Sequence, residues 1–481
     1  MIVKKEAING AIWTSIATLI ISISQVLRLS ILARYLDKSD FGLVAIIGFV
    51  LGLTQVFGDL GFSVAIIHKN KVSIKEFNSV YWAQFFLYLL LYVALFFSSK
   101  IVADFYNDSF LQILIPIAGL DIIFWGVGKL YDTLLQKQLK FKTIAIRNII
   151  SSFLSLLVAF FLAILDFGVY SLIFSTLFYS AFNNIWNFIA GQNSIKINFH
   201  FSLSEVKQFF SIGIYKTGAQ ILDYFSGKVD ILIIGKILGP ELLGVYNLAK
   251  EIVIKIIAIF QIISSKVSLP LFAKYQNDLS LLKGLYVNLI SLITFIVFPI
   301  CAFLLIFSKL IVFYLYGSNY YEVAGIMPLF AILIMINSIS SPEGIIASST
   351  GNTKLDFHWT IIRVILTTIT VIITSFISIN SVVIGQIIVS LFGFYYVWKY
   401  IIYKIINLEF PDYIKSFFKS FVLAIITILI LYCVVNGNYF NIKNELYQLV
   451  VYGLLFISVY IVLLSLIMKK DLHNYKKLFL K

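Results

Sequence analysis

Charge is scarce in this chain: Asp, Glu, Lys and Arg make up only 12% of its 481 residues, while 60% are hydrophobic. Soluble domains carry about a quarter charged residues, so there is too little polar surface here to face water. A mean hydropathy of +0.97 excludes a soluble globular protein of this length and implies an integral membrane protein. Cysteine is nearly absent. Cys301 and Cys433 both fall in apolar stretches without metal or redox spacing, which excludes a disulfide framework or a thiolate metal site. The four histidines, His68, His200, His358 and His473, are expected in loops or in the tail, which leaves no intramembrane histidine relay or metal centre. There is no Walker A loop, GxSxG, HExxH or CxxC motif, and no carboxylate pair has a catalytic spacing. The chain therefore reads as a transporter, not an enzyme, that draws on no ATP hydrolysis of its own and no bound cofactor.

What the chain does have is long hydrophobic runs. A bilayer core of roughly 30 Å needs about 20 apolar residues in a helix. About fourteen such stretches occur, near 11–33, 42–67, 80–103, 111–130, 146–165, 168–190, 209–234, 243–268, 286–307, 324–348, 359–379, 381–402, 417–435 and 447–468. The first follows Lys4 and Lys5, is too long for a signal peptide and lacks a small-residue cleavage site, so it is expected to be retained. Pro299, Pro328 and Pro342 fall in the ninth and tenth stretches and predict kinks.

Most of the 37 Lys and Arg lie on one side of this map, including Lys469, Lys470, Lys476, Lys477 and Lys481 in the tail. Arg34, Lys38, Lys100, Lys236, Lys309 and Lys443 fall on the other. The positive-inside rule then predicts a multi-pass protein of the cell membrane with both termini cytoplasmic. The net charge of +14 follows from this topology and from attraction to anionic inner-leaflet lipids, and no nucleic-acid partner is implied. Tyr35, Tyr81, Tyr106, Tyr320 and Tyr321 sit toward span ends, as an interfacial aromatic belt would.

An internal repeat organises the runs. Residues 33–48, ARYLDKSDFGLVAIIG, echo 235–250, GKILGPELLGVYNLAK, at an offset of 202, with Leu36 over Leu238 and Gly42 over Gly244. Residues 144–160 parallel 359–375 and bring Arg147 within one residue of Arg363. A six-helix unit has an even number of crossings, so its copy keeps the same orientation and the two are related by an axis along the membrane normal. The expected architecture is all-α and polytopic, with two six-helix lobes around a central cavity plus two C-terminal helices. The corresponding division is an N-lobe at 1–190, a cytoplasmic inter-lobe loop at 191–208, a C-lobe at 209–404, and two final helices with a tail at 405–481.

Basic residues inside the runs are costly, roughly 2.5–3.5 kcal/mol each on insertion scales, and mark a transport path by default. Arg28, Lys216, Lys228, Lys250 and Lys255 are so placed and form the candidate site for an anionic, phosphate-bearing cargo. Lys216, Asp223 and Asp230 recur every seven residues and share one helix face. Adding the repeat offset to Arg28 lands on Asp230, which suggests a pair across the cavity. Glu251 and Lys255 have i,i+4 spacing. Asp59, Asp223, Asp230 and Glu251 are the candidates for ion coupling or for pairing with the cations, with H⁺ or Na⁺ as the ion. Asp121 and Glu343 are further acids within the runs.

The runs at 33–69 (ARYLDKSDFGLVAIIGFVLGLTQVFGDLGFSVAIIHK), 105–108 (FYND), 134–142 (LLQKQLKFK), 166–172 (DFGVYSL) and 225–250 (FSGKVDILIIGKILGPELLGVYNLAK) resemble the Wzx-type polysaccharide exporters of the multidrug/oligosaccharidyl-lipid/polysaccharide superfamily. The nearest branch is the one associated with colanic and teichuronic acid export. The resemblance covers roughly residues 1–405 and thins past Pro270. It implies a flippase that moves undecaprenyl-diphosphate-linked oligosaccharide from the cytoplasmic to the outer leaflet, alongside other polysaccharide assembly proteins. The alternatives are a cation-coupled drug or metabolite antiporter of the same superfamily and, further off, a membrane glycosyltransferase or polymerase, which would need larger outer loops and a catalytic acid or base cluster.

Overall fold

The computed structural model describes residues 2–263, 268–436 and 445–467. Lys443, His473 and the tail lysines Lys469, Lys470, Lys476, Lys477 and Lys481 lie outside these residues, as does the side chain of Lys216. Among the described residues there is no strand. The chain forms two compact units, Met1–Asn247 and Leu248–Lys481.

The first unit contains α1 (Ile2–Leu32), α2 (Lys38–Asp59), α3 (Phe62–His68), α4 (Ile74–Tyr106), α5 (Leu111–Lys137), α6 (Phe141–Ile164), α7 (Tyr170–Gln192) and α8 (Leu203–Ile237). α9 (Gly239–Ile263) begins in it. α5 packs against α4 and α7, α6 against α1 and α7, and α8 against α2, α3 and α4. Small residues make the α6 contacts close: Ser151, Ser152, Ser155, Ala159 and Ala163 are all buried. In lipid, where burial of apolar surface does not drive helices together, such close backbone approach and interhelical hydrogen bonds do that work.

Helix ends follow from local chemistry. Ser73 and Glu76 form a reciprocal cap at the start of α4, with Glu76 N–H donating to Ser73 Oγ (3.3 Å) and Ser73 N–H to Glu76 Oε2 (2.9 Å). Asn107 ends α4 in the left-handed conformation, φ 57°, which asparagine tolerates better than most residues. The apolar stretch at 42–67 is not one helix. It breaks at Leu60 (φ 42°) and Gly61 (φ 72°), because the Asp-Leu-Gly sequence there supplies a turn that hydropathy alone does not register.

The second unit contains α10 (Leu269–Lys274), α11 (Leu279–Tyr316), α12 (Tyr321–Ser340), α13 (Glu343–Ser349), α14 (Thr353–Ser375), α15 (Ile379–Val397), α16 (Tyr403–Ile406), α17 (Phe410–Asn436) and α18 (Glu445–Ile467). α11 is its central element and packs on α12, α17 and α18, while α15 packs on α12 and α14. Asp278 caps α11 by accepting from Leu281 N–H at 3.0 Å, and that bond holds its carboxyl below the usual range. A π-helical turn at Trp398–Ile402 joins α15 to α16.

The three prolines behave unequally. α11 runs unbroken through Pro299 and α12 through Pro328. Only Ser341–Pro342 divides the tenth stretch, giving α12 and α13. Two histidines expected in loops are helical: His68 ends α3 and His358 lies within α14.

As far as the described residues extend, the apolar stretches are mainly helical, with breaks inside those at 42–67 and 324–348, and by length and apolarity eleven helices among the described residues qualify as membrane spans. Three fall short: α7 because Asn183, Asn184 and Asn187 dilute its hydropathy, α8 because it carries Asp223, Lys228 and Asp230, and α9 because it carries Lys250, Glu251 and Lys255. Large apolar side chains such as Phe97, Leu466 and Ile373 remain exposed, which suits a lipid solvent.

Candidate functional site

The first unit lines an open cavity of about 690 Å³. α2 supplies Gln55 and Asp59, α5 supplies Asp121, Trp125 and Lys129, α7 supplies Thr176, and α8 supplies Gln220, Asp223, Tyr224 and Lys228. The spacing explains the convergence: Gln55 and Asp59 are one turn apart on α2, as are Asp121, Trp125 and Lys129 on α5, so each set shares a face.

Glycine at 52 lets α8 approach α2, since a Cβ there would overlap the Tyr224 ring. The Tyr224 hydroxyl then donates to the Phe49 carbonyl at 2.6 Å.

The site is mixed in charge. Lys129 lies over the Trp125 ring (5.2 Å to its centre) and Lys228 over the Tyr224 ring (5.7 Å), so each ammonium is held by an aromatic face. Asp121 accepts from Gln55 Nε2 at 3.0 Å. Asp59 accepts from Gln84 Nε2 at 3.3 Å and from the Ser63 hydroxyl, which in turn accepts from Thr133 at 3.0 Å. Charged groups, amides and aromatic rings around one space are suited to a ligand that carries both phosphate and sugar hydroxyls.

Of the residues singled out from sequence, Asp59, Asp121, Asp223 and Lys228 line this cavity. Arg28 donates to Ser155 Oγ (3.2 Å) and Thr176 Oγ1 (3.4 Å), which ties it to the cavity wall through Thr176. Asp230 is buried and accepts from the Tyr246 hydroxyl and the Ile231 N–H. Lys250, Glu251 and Lys255 fall in the second unit, where Lys255 and Glu251 form the expected ion pair at 3.1 Å. Lys216 is on α8.

Sequence reasoning does not pick out Gln55, Gln84, Trp125 and Lys129. Polar glutamines within apolar runs are the available signal, and Lys129 reads as the flank of its span.

The repeat has a physical counterpart in the first unit. A Cβ on Gly42 would overlap the Pro240 carbonyl, and a Cβ on Gly244 would overlap the Lys38 carbonyl. Gly42 and Gly244 are repeat mates, as are Lys38 and Pro240, so α2 and the start of α9 cross through a reciprocal contact. Arg147 and Arg363 each lie near an acid, but Arg363 is the more exposed and its pair the looser. Arg147, buried, pairs with Asp132 at 2.8 Å and donates to Asn187, and Arg363 lies 4.0 Å from the buried Glu343. The second unit has its own smaller cavity of about 370 Å³ beside the π-helical turn, with His358 and Lys404 as its ionisable non-tyrosine residues.

Comparison with known proteins agrees with this arrangement. The polysaccharide biosynthesis protein family matches residues 31–325. The chain is 26% identical to the teichuronic acid biosynthesis protein TuaB of Bacillus subtilis (strain 168), over 74% of each chain. It is 25% identical to the lipopolysaccharide biosynthesis protein WzxC of Escherichia coli (strain K12), over 90% of this chain and 88% of that one. Its fold is similar to that of the lipid II flippase MurJ in an inward closed conformation, with a TM-score of 0.77 at 18% identity over 95% of this chain and 99% of MurJ. With more than half of its length matched, the chain belongs to the polysaccharide biosynthesis protein family of membrane transporters.

Proposed function

We propose that the protein is a secondary-active flippase that carries undecaprenyl-diphosphate-linked oligosaccharide from the cytoplasmic to the outer leaflet by alternating access. The observation that carries this reading is the cavity of the first unit, where Lys129 and Lys228 stand among amides and aromatic rings. A diphosphate needs cations that keep their charge at depth, and a sugar needs amide donors and ring faces. Family membership and the flippase fold of MurJ support a lipid-linked cargo. Lys228 is the proposed phosphate contact and Arg28 a positioning residue at the wall. The lobes at 1–190 and 209–404 are the proposed moving parts, and both termini are placed in the cytoplasm.

The test is transport by the purified chain in liposomes. A short undecaprenyl-diphosphate oligosaccharide is supplied on one side, and its exposure to a lectin on the other is followed with and without an ion gradient. Gradient-dependent exposure that is lost in Lys228→Ala and strongly slowed in Arg28→Ala is the expected result. No movement of any lipid-linked sugar, together with efflux of a small organic cation, would replace this reading with a drug antiporter.

A further inference from the structure

Two acids in the first unit stand out for their surroundings. Asp59 and Asp121 are 8% and 6% exposed, and among the described residues neither forms an ion pair. Their hydrogen-bond partners are neutral: Gln84 and Ser63 for Asp59, Gln55 for Asp121. A carboxylate buried in this way is expensive unless a positive charge accompanies it. Asp59 adds to the imbalance by closing α2, since the last carbonyls of a helix already carry negative partial charge.

A second observation points to what would balance them. Gln84 is 1% exposed and directs its amide at Asp59, yet its Oε1 accepts no hydrogen bond. Tyr88, fully buried one turn further on, has an unpartnered hydroxyl, and its ring lies against Gly58, the neighbour of Asp59. These oxygens come from three helices that pack on one another, α2, α4 and α5; Asp59 and Asp121 line the same cavity, and Asp59 stands at the break at Leu60–Gly61. α2 is a complete 22-residue span that ends at this break, so the negative partial charge of its last carbonyls lies beside Asp59 and favours a cation there. The other charged groups facing the cavity are Lys129, Lys228 and Asp223, and both lysines lie over aromatic rings.

We propose that Asp59, Asp121, Gln84 and Tyr88 form a binding site for a single monovalent cation, a sodium ion or a proton, in the first unit. All its ligands are oxygens, as a hard cation requires. One cation leaves the pair with one negative charge, enough for a neighbouring lysine to sense. Whether that cation drives transport rests on the flippase reading, but its binding does not, so the two fail separately.

The experiment is equilibrium binding of radioactive ²²Na⁺ to the purified full-length chain in sodium-free choline buffer at alkaline pH, with proton uptake measured in parallel. The expected result is saturable binding of one ion per chain, weakened about tenfold or more in Asp59→Asn and in Asp121→Asn, and unchanged in Asp278→Asn at the α11 cap. If the site prefers protons, the wild type takes up a proton that both Asn substitutions abolish. Gln84→Met, which keeps side-chain volume, provides a third substitution should either Asn protein misfold. Sodium binding of equal strength in these proteins and the wild type would overturn the proposal. So would a wild type that binds no sodium and takes up no more protons than Asp59→Asn and Asp121→Asn do.

Discussion

The reciprocal crossing of α2 and α9 makes a demand that can be measured. In Gly42→Ala the new methyl group meets the Pro240 carbonyl, and in Gly244→Ala it meets the Lys38 carbonyl. Backbone cannot move aside as a flexible side chain does, so the helices must separate. Forcing extra volume into a packed contact costs about 1–3 kcal/mol, whereas alanine for glycine inside a helix gains up to about 1 kcal/mol where space is open. Each substitution should therefore cost about 1–2 kcal/mol. Because the two methyls strain one crossing, the first forces most of the separation that the second needs. The double substitution should thus cost less than the two singles together, with a coupling of about 0.5 kcal/mol or more. Gly48→Ala, farther along α2 with nothing within 4 Å of its new methyl, is the control and should be neutral or stabilising. Equilibrium unfolding in mixed micelles, followed by tryptophan fluorescence, provides the assay. Strict additivity, or a Gly42→Ala protein as stable as the parent, would refute the crossing.

Arg147→Ala strands the Asp132 carboxylate and should destabilise the first unit by about 3–5 kcal/mol, while adding Asp132→Asn should recover part of the loss; the same micelle unfolding reads both. Lys129→Ala should weaken transport without loss of insertion, and normal lectin-detected transport would remove the lysine-and-ring argument. Cysteine introduced at Asn107 should react with an impermeant maleimide from outside and cysteine at Asn70 should not, and the reverse labelling would invert the topology.

Hydropathy made the helices legible, because in lipid the run length itself is the signal. The repeat also surfaced in sequence, since only glycine at both 42 and 244 permits the crossing that the fold uses. What sequence could not show was pairing across helices. Asp132 and Arg147 sit on either side of the turn joining α5 to α6, and only the antiparallel return brings them to 2.8 Å. The candidate cation site was half visible. Asp59 stood out as a charge in an apolar run, but Gln84 and Tyr88 read as ordinary members of an aromatic helix until α4 was laid beside α2 and α5. Nor was the unequal fate of Pro299, Pro328 and Pro342 predictable, because neighbouring helices decide whether a freed carbonyl is satisfied.

The π-helical turn at Trp398–Ile402 has a consequence for how the chain tolerates change in length. A π turn holds one residue more than an α turn needs. Deleting a single residue inside 398–402 would restore regular winding while keeping α15 and α16 continuous, whereas a deletion within α15 would rotate every later side chain by roughly 100°. The indole N–H of Trp398 is anchored to the Leu408 carbonyl at 3.0 Å, so Trp398 itself should resist removal. A one-residue deletion at this turn is thus expected to leave the packing of α16 and α17 in place, where the same deletion within α15 would not.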